Sequence, residues 1–172
     1  MSGAVRLGSV ERVRAALLAA GHADTITVFP ESTRTAAEAA AAVGCTVAQI
    51  AKSIVFRAGE RAALVITSGV NRVDPAKAGA ALGVSLARAD ADFVRETTGF
   101  AIGGVAPVGH LSPPLILLDE DLLKLDPIWA AAGSPMHVFR TSAAELRRIS
   151  GGSVAAVKTD TSTVKSASES SV

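Results

Sequence analysis

The thirteen residues from Thr98 to His110, TGFAIGGVAPVGH, hold four glycines and one proline in a chain otherwise rich in alanine, valine and leucine. Glycine lets the main chain take positive φ and lets another group approach its N–H closely. Proline fixes φ and supplies no N–H donor. The run therefore predicts a loop shaped around something, with helices and strands arranged on either side of it.

Those flanking elements are punctuated clearly. Ser9 is placed to cap a helix through VERVRAALLAA, with Val10, Val13 and Leu17 on one face and Gly21 as its stop. TITVF reads as a strand ending at Phe29. Thr35 and Glu38 have capping-box spacing before an alanine helix closed by Gly44, and Thr46 with Gln49 repeats the device for one short turn. SIVFRAGERAALVIT is two β-rich runs around a turn at 58–61, which predicts a hairpin with Lys52 at its entrance. In NRVDPAKAGAALG, Asp74 is an N-cap, Pro75 the first helical residue and Gly83 the end.

VSLA reads as a short strand, and Asp90 opens a helix to Thr97. Beyond the glycine loop, PLILLDE and MHVFR are strands, and Ser142 with Glu145 caps a final helix. The irregular interleaving predicts an α/β (α+β) fold: a single domain, residues 1–157, in which helices surround a curved mixed β-sheet. From Lys158 onward serine and threonine prevail with little to bury, and residues 158–172 are expected to be a disordered tail.

Composition narrows the function. With 49% hydrophobic residues in 172 there is enough apolar surface for one core. Aromatic residues make up 3% with no tyrosine, so no row of stacking rings is available to grip single-stranded nucleic acid. Seventeen Lys+Arg against sixteen Asp+Glu leave a net charge of +1 and no dense basic run, which argues against a long phosphate track and against a DNA-binding protein. One cysteine excludes an internal disulfide. Neither a signal pattern nor an apolar span of about 18 residues is present, so a membrane partner is not expected and the cytoplasm is the expected compartment.

Few residues carry chemistry by themselves. The glycine loop matches neither G-x-G-x-x-G nor the P-loop, whose Lys-Ser/Thr pair is missing after Gly104. Cys45 has no local His or acid beside it and reads as a small buried residue. His22, His110 and His137 are far apart and lack a metal-binding framework, so neither metal nor other cofactor is expected. Ser68, in TSGVN, is not in a nucleophile elbow and reads as the end of a strand. Lys52 differs, because it interrupts the apolar pattern QIAKSIVF. It either snorkels to solvent or points into a pocket to bind a phosphate or other ligand oxygens.

Four pieces, AAEAAAAVGCTVAQIAKSIVF, NRVDPAKAGAALG, TGFAIGGVAPVGH and PLILLDE, together resemble the YbaK/prolyl-tRNA-editing family of free-standing aminoacyl-tRNA deacylases, related to the insertion domain of bacterial prolyl-tRNA synthetase. The resemblance implies hydrolysis of the ester of a small amino acid mischarged on tRNA, tRNA(Pro) first among candidates. The partners it implies are the 3′ acceptor end of the aminoacyl-tRNA and prolyl-tRNA synthetase. It implies catalytic roles for Lys52, as substrate anchor, and for Gly103 and Gly104, whose N–H groups would hold an oxyanion. Phe29, Ser68, Asn71, Ile102, Pro107, Gly109, His110 and His137 would line the substrate site. The chain departs from cysteine-specific relatives at His137, where they carry an acid, and at Phe29, where they carry a hydroxylated aromatic. A non-catalytic module that binds aminoacyl-tRNA or a synthetase shares the same resemblance.

Overall fold

Strand pairing organises the chain, and a computed structural model describes it over residues 8–160. Eight strands form one mixed sheet: β1 (Ile26–Val28), β2 (Ile50–Ala58), β3 (Arg61–Ser68), β4 (Ala87–Arg88), β5 (Leu115–Asp119), β6 (Ile128–Ser134), β7 (His137–Thr141) and β8 (Ser153–Ala155). Their order is β1-β7-β6-β2-β3-β5-β8, with β4 added beside β2. The expected hairpin is β2 and β3, antiparallel from Ala51↔Ser68 to Ala58↔Arg61. Lys52 lies inside β2, not ahead of it. The VSLA strand is displaced to β4, and Phe29 falls just past β1. Strands β6 and β8 add to those the sequence predicts.

Among the described residues five α-helices pack around this sheet, and their ends follow side-chain chemistry. In α1 (Ser9–Ala19) the N-cap is Gly8, not Ser9, because the Ser9 hydroxyl donates instead to Gly133 O of β6 at 2.7 Å. Helix α2 (Ala36–Val43) begins where Thr35 Oγ1 accepts the Glu38 N–H at 3.1 Å and ends at left-handed Gly44. Asp74 caps α3 (Pro75–Leu82), Asp90 caps α4 (Ala91–Thr98), and Ser142 caps α5 (Ala143–Ser150). Each such cap satisfies N–H groups that the first helical turn leaves without partners.

One apolar cluster joins Val13 and Leu17 of α1 and Leu146 of α5 to Leu64, Ile66 and Phe139 of the sheet, with Phe100 and Val105 of the glycine loop inside it. Alanines of α2 pack on Ile50, while Ala78 of α3 packs with Val65, Leu117 and Val157. Lys158, expected to open a disordered tail, instead bridges Val73 antiparallel, and Thr159 N–H donates to Arg72 O at 2.9 Å. Pairing of these backbone groups extends the packed chain past 157; the rest of the expected tail lies outside the described residues.

One discontinuity in the sheet matters most. Parallel pairing of β2 with β6 covers only Ile50↔Trp129 and Ala51↔Ala130, and β4 takes up the same side of β2 only at Phe56 and Arg57. Between these points residues 52–55 have β3 on one side and, among the described residues, no strand on the other. Strand β6 also shifts register against β7 between Ala131 and Ser134, where Gly133 takes φ +100°.

Candidate active site

Where β2 and β6 part, the sheet opens into a pocket lined from both strands. Successive residues of a strand face opposite sides of a sheet, yet Lys52 and Ser53 both line this pocket, since it passes through the split. Thr33, Arg34 and Thr35, leading into α2, cover one side. Gly103 and Val105 of the glycine loop cover another, and Ser134, Pro135 and His137 close the end. Lys52 and Arg34 bring two cations to a lining that, among the described residues, holds no carboxylate. Thr33 fastens the approach to α2 by donating both its N–H, at 3.0 Å, and its hydroxyl, at 3.1 Å, to Pro135 O.

At the closed end a hydrogen-bonded chain fixes one imidazole. Ser134 Oγ accepts the Met136 N–H at 3.0 Å and lies 2.7 Å from His137 Nδ1. This bond occupies Nδ1 and orients the ring, leaving Nε2 as the nitrogen that can meet a ligand.

The glycines of the loop have separate functions. Gly103 takes φ +96°, and among the described residues no acceptor takes its N–H. Gly104 differs from expectation: its N–H donates to Ala101 O at 3.0 Å, so it is not an available oxyanion donor. Its missing side chain serves close packing instead, since a Cβ there would stand 2.6 Å from Ser134 Cα. Arg12, which sequence reasoning passed over, holds both ends of the loop. Its guanidinium donates to Gly99 O and Gly109 O, each at 2.9 Å, and lies over the Phe100 ring at 4.8 Å from the centroid. Burial lowers the pKa of this guanidinium.

Of the residues expected at the site, the structure brings together Lys52, Gly103 and His137, with Ile102 in an adjoining cavity. The others lie elsewhere, for visible reasons. Phe29, 4% exposed, is buried, and its N–H donates to Met136 O at 2.7 Å. Ser68 donates its hydroxyl to Ala48 O at 2.7 Å, and its N–H, like Thr67 Oγ1 and Asn71 Nδ2, donates to the buried Asp119 carboxylate. Ser68 and Asn71 thus tie the end of β3 to β5. Pro107 is buried, and Gly109 receives Arg12. His110 Nε2 donates to Ala106 O at 2.6 Å and its ring meets Phe100 edge-on at 5.3 Å, while burial lowers its pKa. Among the described residues no three His, Cys, Asp or Glu side chains gather as metal ligands.

Thr33, Arg34, Ser53, Ser134 and Pro135 were missed by sequence reasoning. The one signal for them was Gly-Ser-Pro at 133–135, a turn signature before the MHVFR strand.

Comparison with known proteins agrees with this architecture. The sequence model of the aminoacyl-tRNA editing domain matches residues 30–149. A solved structure described as a candidate trans-editing enzyme for prolyl tRNA synthetase shares 46% identity and a TM-score of 0.84, covering 91% of this chain and all (100%) of that one. A structure from the computational grafting of linear epitopes onto scaffold proteins shares 42% identity with a TM-score of 0.82, over 90% of this chain and 99% of that one. The uncharacterized protein YwhH of Bacillus subtilis (strain 168) is 29% identical over 143 residues, 83% of this chain and 91% of its own length.

Proposed function

This chain belongs to the aminoacyl-tRNA editing domain family, and on that premise we propose that it is a trans-editing deacylase, hydrolysing the ester of a small amino acid mischarged on tRNA, tRNA(Pro) foremost. The observation that carries this reading is the convergence of Lys52, Gly103 and His137 on one pocket formed by the split between β2 and β6.

An aminoacyl ester is already activated, so positioning and charge stabilisation can supply most of the catalysis. Water adds to the carbonyl carbon, and the resulting oxyanion is met by the Gly103 N–H. Collapse breaks the bond to the ribose oxygen, which takes up a proton, and the free amino acid and the tRNA hydroxyl separate. Lys52 anchors the substrate through its phosphate or hydroxyl oxygens. His137 Nε2, its ring held by Ser134, orients the acyl end. The step uses no protein nucleophile and no metal. It belongs in the cytoplasm beside charged tRNA, and prolyl-tRNA synthetase is the partner from which a mischarged product would be received. No helix of the described residues is long and apolar enough to cross a membrane.

The test is a deacylation screen of purified protein over tRNA(Pro), tRNA(Ala) and tRNA(Thr) charged with small amino acids and with proline. Release of a small amino acid with Pro-tRNA(Pro) spared supports editing. Rapid hydrolysis of cognate Pro-tRNA(Pro) overturns the assignment, and binding without turnover on every substrate leaves a recognition module in its place.

A further inference from the structure

Ser53 lines the pocket with a hydroxyl that the deacylation step leaves without a task. Its hydroxyl is buried and, among the described residues, has no hydrogen-bond partner, an arrangement that buried polar groups seldom adopt unless something else completes it. It stands at a junction. Besides lining the split-sheet pocket, it borders a second cavity, and the two cavities also share Gly103 and Val105. The walls belonging only to the second cavity are aliphatic: Ile54, Val55, Ala89, Val94 and Ile102. Ile102 is 57% exposed there, an uncovered apolar surface at the mouth. Along the same stretch β2 has, among the described residues, no strand partner on one side, so its main chain presents a polar edge beside apolar walls.

We propose that this second chamber seats the terminal adenine of the tRNA, with the Ser53 hydroxyl bonding the ribose at the passage between the chambers. The proposal rests on the deacylase reading for its choice of occupant. An ester held in the first chamber is joined through the ribose to a base only a few bonds away, so the nucleoside must leave the pocket through whatever space adjoins it. A flat purine matches aliphatic walls by burial of its faces, and its donor and acceptor edge matches a strand edge that offers N–H and C=O groups. The bare backbone of Gly103 keeps the passage open, since a Cβ there would project toward Pro135, 3.9 Å from its Cγ.

Adenosine alone is the probe, because its binding requires no turnover. Titration of the 15N-labelled protein should shift the amides of residues 53–55, 94 and 102, with adenosine binding at least threefold more tightly than cytidine. Ile102→Asp, at an exposed position, should weaken adenosine at least tenfold. In deacylation, Ser53→Ala should raise KM for mischarged tRNA at least fivefold, with kcat changing less than twofold. Shifts confined to the first chamber, or an unchanged adenosine affinity in Ile102→Asp, overturn the seat even where deacylation is active. Adenosine binding at these residues without deacylation on any tRNA keeps the seat and removes the enzyme.

Discussion

A methyl group added at Gly104 would lie 2.6 Å from Ser134 Cα, whereas one added at Gly103 would meet nothing closer than Pro135 Cγ at 3.9 Å. The two neighbours should therefore fail differently when substituted. Gly104→Ala must displace the β6–β7 turn and is expected to cost about 1–3 kcal/mol of stability, the usual range for overpacking. Gly103→Ala carries the strain of a non-glycine residue at φ +96°, roughly 1–2 kcal/mol, and in addition narrows the pocket and shifts the only loop N–H assigned to the oxyanion. Thermal melts and deacylation rates of the two variants test this: stability should fall in both, and activity per folded molecule should fall furthest for Gly103→Ala. Equal residual activity would take the oxyanion role away from Gly103. Lys52 sits on the same pocket, and Lys52→Ala is expected to lower kcat/KM at least tenfold, about 1.4 kcal/mol, with an unchanged melting temperature. A folded, fully active variant would show that this ammonium serves only the surface.

The glycine loop is an element in its own right, and Arg12 holds it to α1. With bonds from its guanidinium to Gly99 O and Gly109 O, Arg12→Ala should cost about 2 kcal/mol and speed amide exchange across residues 99–110. Arg12→Lys should recover little of this, because an ammonium lacks the planar fork that reaches two carbonyls and stacks on Phe100. His110 makes the same loop sensitive to pH. Burial, helped by the Arg12 charge and opposed by the Ala106 carbonyl, lowers its pKa below the ordinary 6.5. The unfolded chain thus binds a proton at higher pH than the folded one, so this residue's effect is absent well above pH 6.5, destabilises the fold progressively as pH falls from there to the lowered value, and grows no further below it. Melting temperature should drop across that window, and His110→Gln should flatten the drop; parallel curves would dismiss His110 as its source. At this scale the sequence was most legible where a side chain ends a helix, as at Thr35, Asp74, Asp90 and Ser142. It was least legible at β6, where Ile-Trp-Ala-Ala-Ala-Gly-Ser carries mostly residues of low strand preference. Pairing with β7 and burial of Ile128, Ala130 and Ala132 override that preference.

Because β6 is one wall of the pocket, missing it hides the site's outline at the scale of the whole molecule. Lys52, the glycine loop and His137 could be read as chemistry, but their meeting place follows from the two-residue pairing of β2 with β6, a tertiary fact with no local signal. Ser68, Asn71 and His110 look equally functional in sequence, yet the fold employs them in its own hydrogen bonds. On the proposed function the split is also where selectivity would be set, since its walls are small: Ala36, Ala39, Ala51, Ala130 and Ala131 line the pocket beside Trp129. Such a pocket sorts acyl groups by volume, at about 1–3 kcal/mol for each methylene gained or lost. The wild-type chain should consequently hydrolyse alanyl, 2-aminobutyryl, seryl, threonyl and cysteinyl esters at comparable rates. Ala131 is half-buried on β6, and Ala131→Val adds two methyl groups beside open space without opposing the strand. The ratio of kcat/KM for threonyl over alanyl tRNA should then fall at least tenfold, with alanyl hydrolysis little changed. A uniform fall for both esters would mean that the acyl side chain lies against another wall, and an unchanged ratio would mean that volume at the split is not what the site measures.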